Sequence, residues 1–257
     1  MLLRTSTARH TQADRLSWVL VRCMCEISVD HSMLESLLIM KAPLLILASN
    51  SPRRRQLIQL LGLPYEVHPA DVDEAQFEGE DAESYVRRLA LGKAKAVAAQ
   101  HHGMVVAADT IVLDGKTLLG KPKDADDARA MLTCLRGRQH QVYSAITLVD
   151  TGSGRTLADL CKTEVPMRQY TDEEMEAYIA SGDPLDKAGA YAIQHAGFNP
   201  VEALSGCYAS VMGFPLCHVT RTLRSLHVWV AADVPTLCQE ALVYTCPVFE
   251  AILACRE

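Results

Sequence analysis

Four stretches of the 257-residue chain carry side chains able to act on a charged substrate. The first is Ala48-Ser-Asn-Ser-Pro-Arg-Arg-Arg55, which sets the hydroxyls of Ser49 and Ser51 beside three guanidiniums, Arg53, Arg54 and Arg55. Where a strand end runs into a helix start, free backbone N–H groups and the positive end of the dipole favour an anion. Arginine adds forked contacts suited to phosphate oxygens. Three cations in a first helical turn oppose the dipole, and a broken local rule at an element start points to function. Solvation of an exposed helix face is the plain alternative.

The second stretch is Val105-Val-Ala-Ala-Asp-Thr-Ile-Val112, an apolar run interrupted by Asp109. A carboxylate there is costly unless it binds a metal, pairs with a cation or serves as a base. Lys93 poses the same question on the stripe Val86, Leu89, Ala90, Lys93, Val97 of a predicted helix. It needs a counter-charge or a ligand, or it snorkels from the stripe's edge. Asp71, Asp73 and Glu74 form an acidic loop, either solvated or part of a metal site facing Asp109.

The third stretch, Gly115 to Pro122, fits G-x-x-x-x-G-K but places Pro122 where a phosphate loop of that type needs Ser or Thr. That reading is excluded. Lys121 keeps a phosphate contact as its candidate role, on a loop returning toward Asp109. The fourth, Asp186-Lys-Ala-Gly-Ala-Tyr-Ala-Ile-Gln194, offers Asp186, Lys187 and Gln194 around a glycine-permissive backbone. The histidines have no metal-ligand spacing.

These groups need elements to hold them. Leu44–Ala48 reads as a buried strand, with Ser51 capping a helix that Pro52 opens and Gly62 ends. A short strand at Tyr65–His68 and a helix from about Ala82 to Gln100 follow. Next come a strand at Val105–Val112, a helix at Asp124–Leu135, and strands at Gln141–Val149 and Thr156–Val165. Thr171-Asp-Glu-Glu174 is a capping box opening a helix to about Ala180. Short strands are expected at Tyr191–Gln194 and around Tyr208–Met212, and a last helix opens at Pro215. The fold class is α/β with a mixed sheet. Residues 1–43 read as a poorly ordered N-terminal extension, with Met40 a candidate start, and 227–257 as a C-terminal tail outside the main domain.

Composition narrows the partners. Hydrophobic residues make 49% and charged residues 22%, so a disordered, collagen-like or coiled-coil chain is excluded. A net charge of −6 gives no footprint for nucleic acid, and 5% aromatics leave little for stacking bases. No segment reaches the roughly 18 apolar residues that span a bilayer. Nine scattered cysteines, with only Cys23 and Cys25 close together, suggest neither a disulfide framework nor a zinc site. A cytoplasmic chain without nucleic-acid or membrane partners is expected. The residues alone thus describe a phosphate-handling enzyme using Mg²⁺ or Mn²⁺.

The order and spacing of Ala48-Ser-x-Ser-Pro-Arg-Arg54, Ala108-Asp-Thr-Ile-Val112, Gly120-Lys-Pro122, Asp186 to Gln194 and Val211-Met-Gly-Phe-Pro-Leu216 resemble the Maf family of nucleotide pyrophosphatases. The resemblance covers about 44–226. It implies a fold related to inosine triphosphatase, a long twisted mixed sheet flanked by helices with a deep active-site cleft. It also implies cleavage of nucleoside triphosphates between the α- and β-phosphates, with a divalent cation, Mg²⁺ or Mn²⁺, as cofactor. Asp109 matches the family's proton acceptor. Arg53, Thr110 and Gln194 match positions linked to base preference in the branch acting on dTTP and UTP. Ser49, Arg54, Lys93 and Lys121 match the phosphate side, and Glu74 with Asp109 the metal side. Gly120 departs from the Glu that many relatives carry before Lys-Pro. House-cleaning of modified pyrimidine nucleotides, or a non-enzymatic nucleotide-binding regulator of septum formation, are the competing functions. A homodimer is the expected assembly.

Overall fold

Continuous apolar runs become central strands here, because a strand covered on both faces has no side to spare for polar groups. The computed structural model describes residues 43–254. In it β1 (Leu45–Leu47) is buried throughout and lies parallel to both β2 (Tyr65–Val67) and β3 (Met104–Asp114). The far side of β3 pairs antiparallel with β5 (Gln139–Asp150), and β5 with β6 (Thr156–Pro166). The sheet order is β2-β1-β3-β5-β6, and β4 (Thr117–Leu119) folds back onto the end of β3. The expected mixed sheet is present, with six strands.

Helices cover both faces. α1 (Pro52–Ile58) starts at the Ser51 cap and runs into a 3₁₀ turn, Gln59–Leu61. α2 (Ala82–Ala98), capped by Asp81, lays Val86 and Ala90 on Ile111, Leu113 and Ala145. The opposite face holds the larger core. There Val106, Ala108 and Val112 of β3 meet α3 (Ala125–Leu135), α4 (Asp172–Ala180), α5 (Tyr208–Val211) and α6 (Leu216–Ser225). Odd-numbered residues of β3 therefore face α2 and even-numbered ones the larger core, the two-residue alternation of a strand. No helix among the described residues is long and apolar enough to cross a membrane.

Three expectations are corrected. Tyr191–Gln194 is not a strand. It follows a 3₁₀ turn, Ala188–Ala190, in which Gly189 adopts φ 70° and a Cβ would lie 2.9 Å from Val112 Cγ1. The sequence around Tyr208 forms α5, with Met212 N–H bonding back to Tyr208 O at 3.1 Å. Apolar runs this short fit a strand or a helical turn equally well.

The third correction concerns 227–257. Val228, Val230, Val234 and Leu242 are buried in the larger core. α7 (Val234–Leu242) packs on α5, α6 and the Gln59–Leu61 turn, and α8 (Phe249–Ala254) on α6. Two short helices broken by a turn show no sustained period, which is why the sequence hides them. The N-terminal extension falls, apart from Pro43, outside the described residues.

Candidate active site

The sheet has a gap, and the chemistry gathers there. On one side of β3, the β1 ladder ends at Val106 and the β4 ladder begins at Val112. Between them residues 107–111 pair with no strand on that side, and Asp109 and Thr110 sit in the middle. Their side chains leave the strand toward opposite faces. A sheet edge left open this way lets groups from both faces approach one space.

On the α2 face, Lys93 forms ion pairs with Asp109 and, at 2.6 Å, with Glu74 Oε1. Lys93 is 9% exposed and Asp109 7%, so each offsets the other's burial. The counter-charge that the helix stripe demanded is thus Asp109, sixteen residues along the chain. Glu74 reaches the pair from an exposed loop that α2 holds in place. Tyr85 donates its hydroxyl to Glu74 O at 2.8 Å, and Arg88 donates to Ala75 O at 2.9 Å while ion-pairing with Glu80. Burial, then the charges of Asp109 and Glu74, raise the Tyr85 phenol above its usual range.

On the other face Arg54 is held by three hydrogen bonds. Nε donates to Gly213 O at 2.9 Å, Nη1 to Ser49 Oγ at 3.3 Å and Nη2 to Thr110 Oγ1 at 3.3 Å. No carboxylate among the described residues forms an ion pair with it. Burial lowers its pKa and the nearby charge of Asp109 partly opposes that. A guanidinium has five N–H donors, so one remains on each terminal nitrogen, a fork matched to an anion. Gly213 makes this contact close. Its φ is 98°, and a Cβ there would lie 3.1 Å from Thr110 Oγ1.

The start of α1 contributes less backbone than its position suggests. Pro52 has no N–H, and the Ser51 hydroxyl takes the Arg54 N–H at 3.5 Å. Ser49 Oγ, 7% exposed, accepts from Ser51 N–H as well as from Arg54. Side chains, and Arg54 above all, supply the positive charge.

The other predicted residues stand further out. Arg53 is partly buried and Lys121 and Gln194 are exposed. None of the three makes a hydrogen bond or ion pair with Arg54, Lys93 or Asp109 among the described residues. Backbone ties nonetheless join two of their segments: Gly189 N–H donates to Gly120 O at 3.0 Å, next to Lys121. Sequence reasoning missed Ser144 and Gly213 as parts of the site. The available signal was a serine on the inward face of a β5 strand otherwise filled by Val142, Ile146 and Leu148.

Two carboxylates converging on one ammonium bear on the metal question. Among the described residues no three His, Cys, Asp or Glu side chains form a metal-holding group. Asp109 and Glu74 fit an ion such as Mg²⁺, which takes one or two carboxylates and fills its shell with phosphate oxygens and water.

The family model described as "Maf-like protein" matches residues 44–226. A dTTP/UTP pyrophosphatase of Anaeromyxobacter dehalogenans is 46% identical over 185 residues, 71% of this chain and 94% of that one. One from Myxococcus xanthus is 50% identical over 67% of this chain and 87% of its own. One from Thermomicrobium roseum is 43% identical over 82% and 97%. The solved structure of the Staphylococcus aureus Ham1 protein shares 15% identity over 78% of this chain and 98% of that one, at a TM-score of 0.41, too low to carry weight. With the family model covering well over half its length, the chain belongs to the Maf family.

Proposed function

We propose that this chain hydrolyses nucleoside triphosphates, dTTP and UTP preferred, to the nucleoside monophosphate and pyrophosphate. The observation that supports this most is Arg54, a guanidinium without a carboxylate partner among the described residues and with two unused N–H donors, at the gap that also holds Asp109. The relatives named dTTP/UTP pyrophosphatase support the choice of substrate.

Each residue then has a task. Arg54 grips the triphosphate oxygens from one face, and Lys93 can turn from Asp109 toward them from the other. Lys121 approaches from its exposed loop, while Ser49 and Ser51 fix the Arg54 end. Asp109 Oδ accepts the proton of the attacking water. It is released for this as the Lys93 ammonium turns to phosphate. Arg53 and Gln194 serve base preference, and so does Thr110, whose hydroxyl also accepts from Arg54. Asp109 and Glu74 would hold the divalent cation, Mg²⁺ or Mn²⁺, which when bound supplies charge neutralisation for the phosphate oxygens. The reading extends to a cytoplasmic homodimer, which sedimentation of the full chain tests.

The test is pyrophosphate release from standard and modified nucleoside triphosphates, with and without Mg²⁺ or Mn²⁺. Turnover of dTTP and UTP above the purine nucleotides, yielding pyrophosphate rather than phosphate, is expected. Turnover confined to modified pyrimidines would move the assignment to house-cleaning. Binding without turnover would leave a nucleotide-binding regulator.

A further inference from the structure

The Arg54 contacts continue into the sheet and close on themselves. Thr110 and Ser144 are register partners on β3 and β5, with their hydroxyl oxygens 2.8 Å apart. Ser144 is fully buried and donates to Ser210 O at 2.7 Å. The same carbonyl accepts Gly213 N–H at 2.8 Å, and Gly213 O in turn accepts Arg54 Nε. The ring therefore runs Arg54, Thr110, Ser144, Ser210, Gly213 and back to Arg54.

Proton counting gives the ring a direction. A serine has one O–H, and that of Ser144 is spent on a carbonyl that can only accept. Thr110 must then donate to Ser144, so the Thr110 oxygen is left to accept from Arg54. Without Ser144, the Thr110 proton can rotate toward the Arg54 N–H and oppose it. We propose that Ser144 is a positioning residue for the triphosphate: it orders the Thr110 hydroxyl so that Arg54 is held with its two unused donors facing the ligand. This rests on the pyrophosphatase reading, because it takes the ligand of Arg54 to be the phosphate chain.

The test compares Ser144→Ala, Ser144→Thr, Arg54→Ala and the Ser144→Ala/Arg54→Ala double variant. Affinity for α,β-imido-dTTP is read by calorimetry, alongside kcat and KM for dTTP. Ser144→Ala is expected to weaken binding about five- to tenfold, the worth of one ordered hydrogen bond. The loss should appear in KM more than in kcat, and Ser144→Thr, which keeps the hydroxyl, should recover most of it. In the Arg54→Ala background the Ser144→Ala loss should vanish, because a residue acting through Arg54 has nothing left to act on. Unchanged affinity in Ser144→Ala, or losses that add in the double variant, would overturn the proposal while a wild type that turns over dTTP keeps the pyrophosphatase reading. A wild type that binds no triphosphate would overturn both.

Discussion

The two faces of β3 treat charge in opposite ways. On the α2 face, Asp109, Glu74 and Lys93 compensate one another as ion pairs. On the larger-core face, Arg54 is surrounded by neutral oxygens of Ser49, Thr110 and Gly213, so its charge is oriented but not cancelled. A compensated cluster tolerates burial at rest and must be rearranged to act, while an uncompensated cation waits for an anion. The first is suited to proton transfer and metal binding, the second to gripping phosphate. The difference teaches that one strand can serve both tasks because its neighbouring residues point to opposite faces, provided its edge is open.

Asp109→Asn should give the largest effect. It removes the base but keeps the shape, and kcat for dTTP should fall by about 10²–10⁴. Steady-state pyrophosphate release checks this; near-normal turnover would break the division of labour. Lys93→Met comes next. It strands a buried carboxylate and should destabilise the fold by about 3 kcal/mol in urea unfolding at neutral pH. Asp109→Asn in the same background should relieve much of that loss, which a purely packing role for Lys93 would not allow.

Arg54→Ala is expected to weaken α,β-imido-dTTP binding about 10- to 100-fold, the range for charged hydrogen bonds. It removes no ion pair among the described residues, so calorimetric affinity should change far more than stability. The smallest effect concerns His140, which lies on the Ser144 face of β5, 2% exposed, with Nε2 2.8 Å from Tyr191 OH. Burial lowers its pKa to about 4, against an ordinary value of 6.5. The folded chain therefore holds His140 neutral, and below pH 6.5 the unfolded chain takes up a proton that the folded one refuses. That stabilisation is complete above pH 6.5 and is lost progressively as pH falls toward 4. Between pH 7 and 5.5 the loss should be about 1 kcal/mol, and His140→Gln should flatten this part of the stability profile.

Much of this was legible in the chain itself. Apolar runs gave the central strands, and Ser51, Asp124 and Thr171 announced helix starts where the structure has them. Lys93 and Asp109 each stood out because a charge in an apolar pattern requires an explanation, but periodicity alone could not pair them. Pairing depends on how α2 crosses β3, a long-range fact. The gap at 107–111 was invisible for the same reason, since it is made by where β1 stops and β4 begins. Ser144 and Gly213 carry no charge and raise no local alarm; only strand register and backbone approach bring them to Arg54. The α7 and α8 helices were missed because each is too short to show a sustained apolar period.

The central claim is that Arg54 carries binding and Asp109 carries turnover, from opposite faces of β3. The most direct measurement is α,β-imido-dTTP affinity beside dTTP turnover in Asp109→Asn and Arg54→Ala. Asp109→Asn should bind within about threefold of wild type while losing turnover, and Arg54→Ala should lose binding by tenfold or more. Arg54→Ala binding at wild-type strength, or Asp109→Asn turning over at wild-type rate, would contradict it.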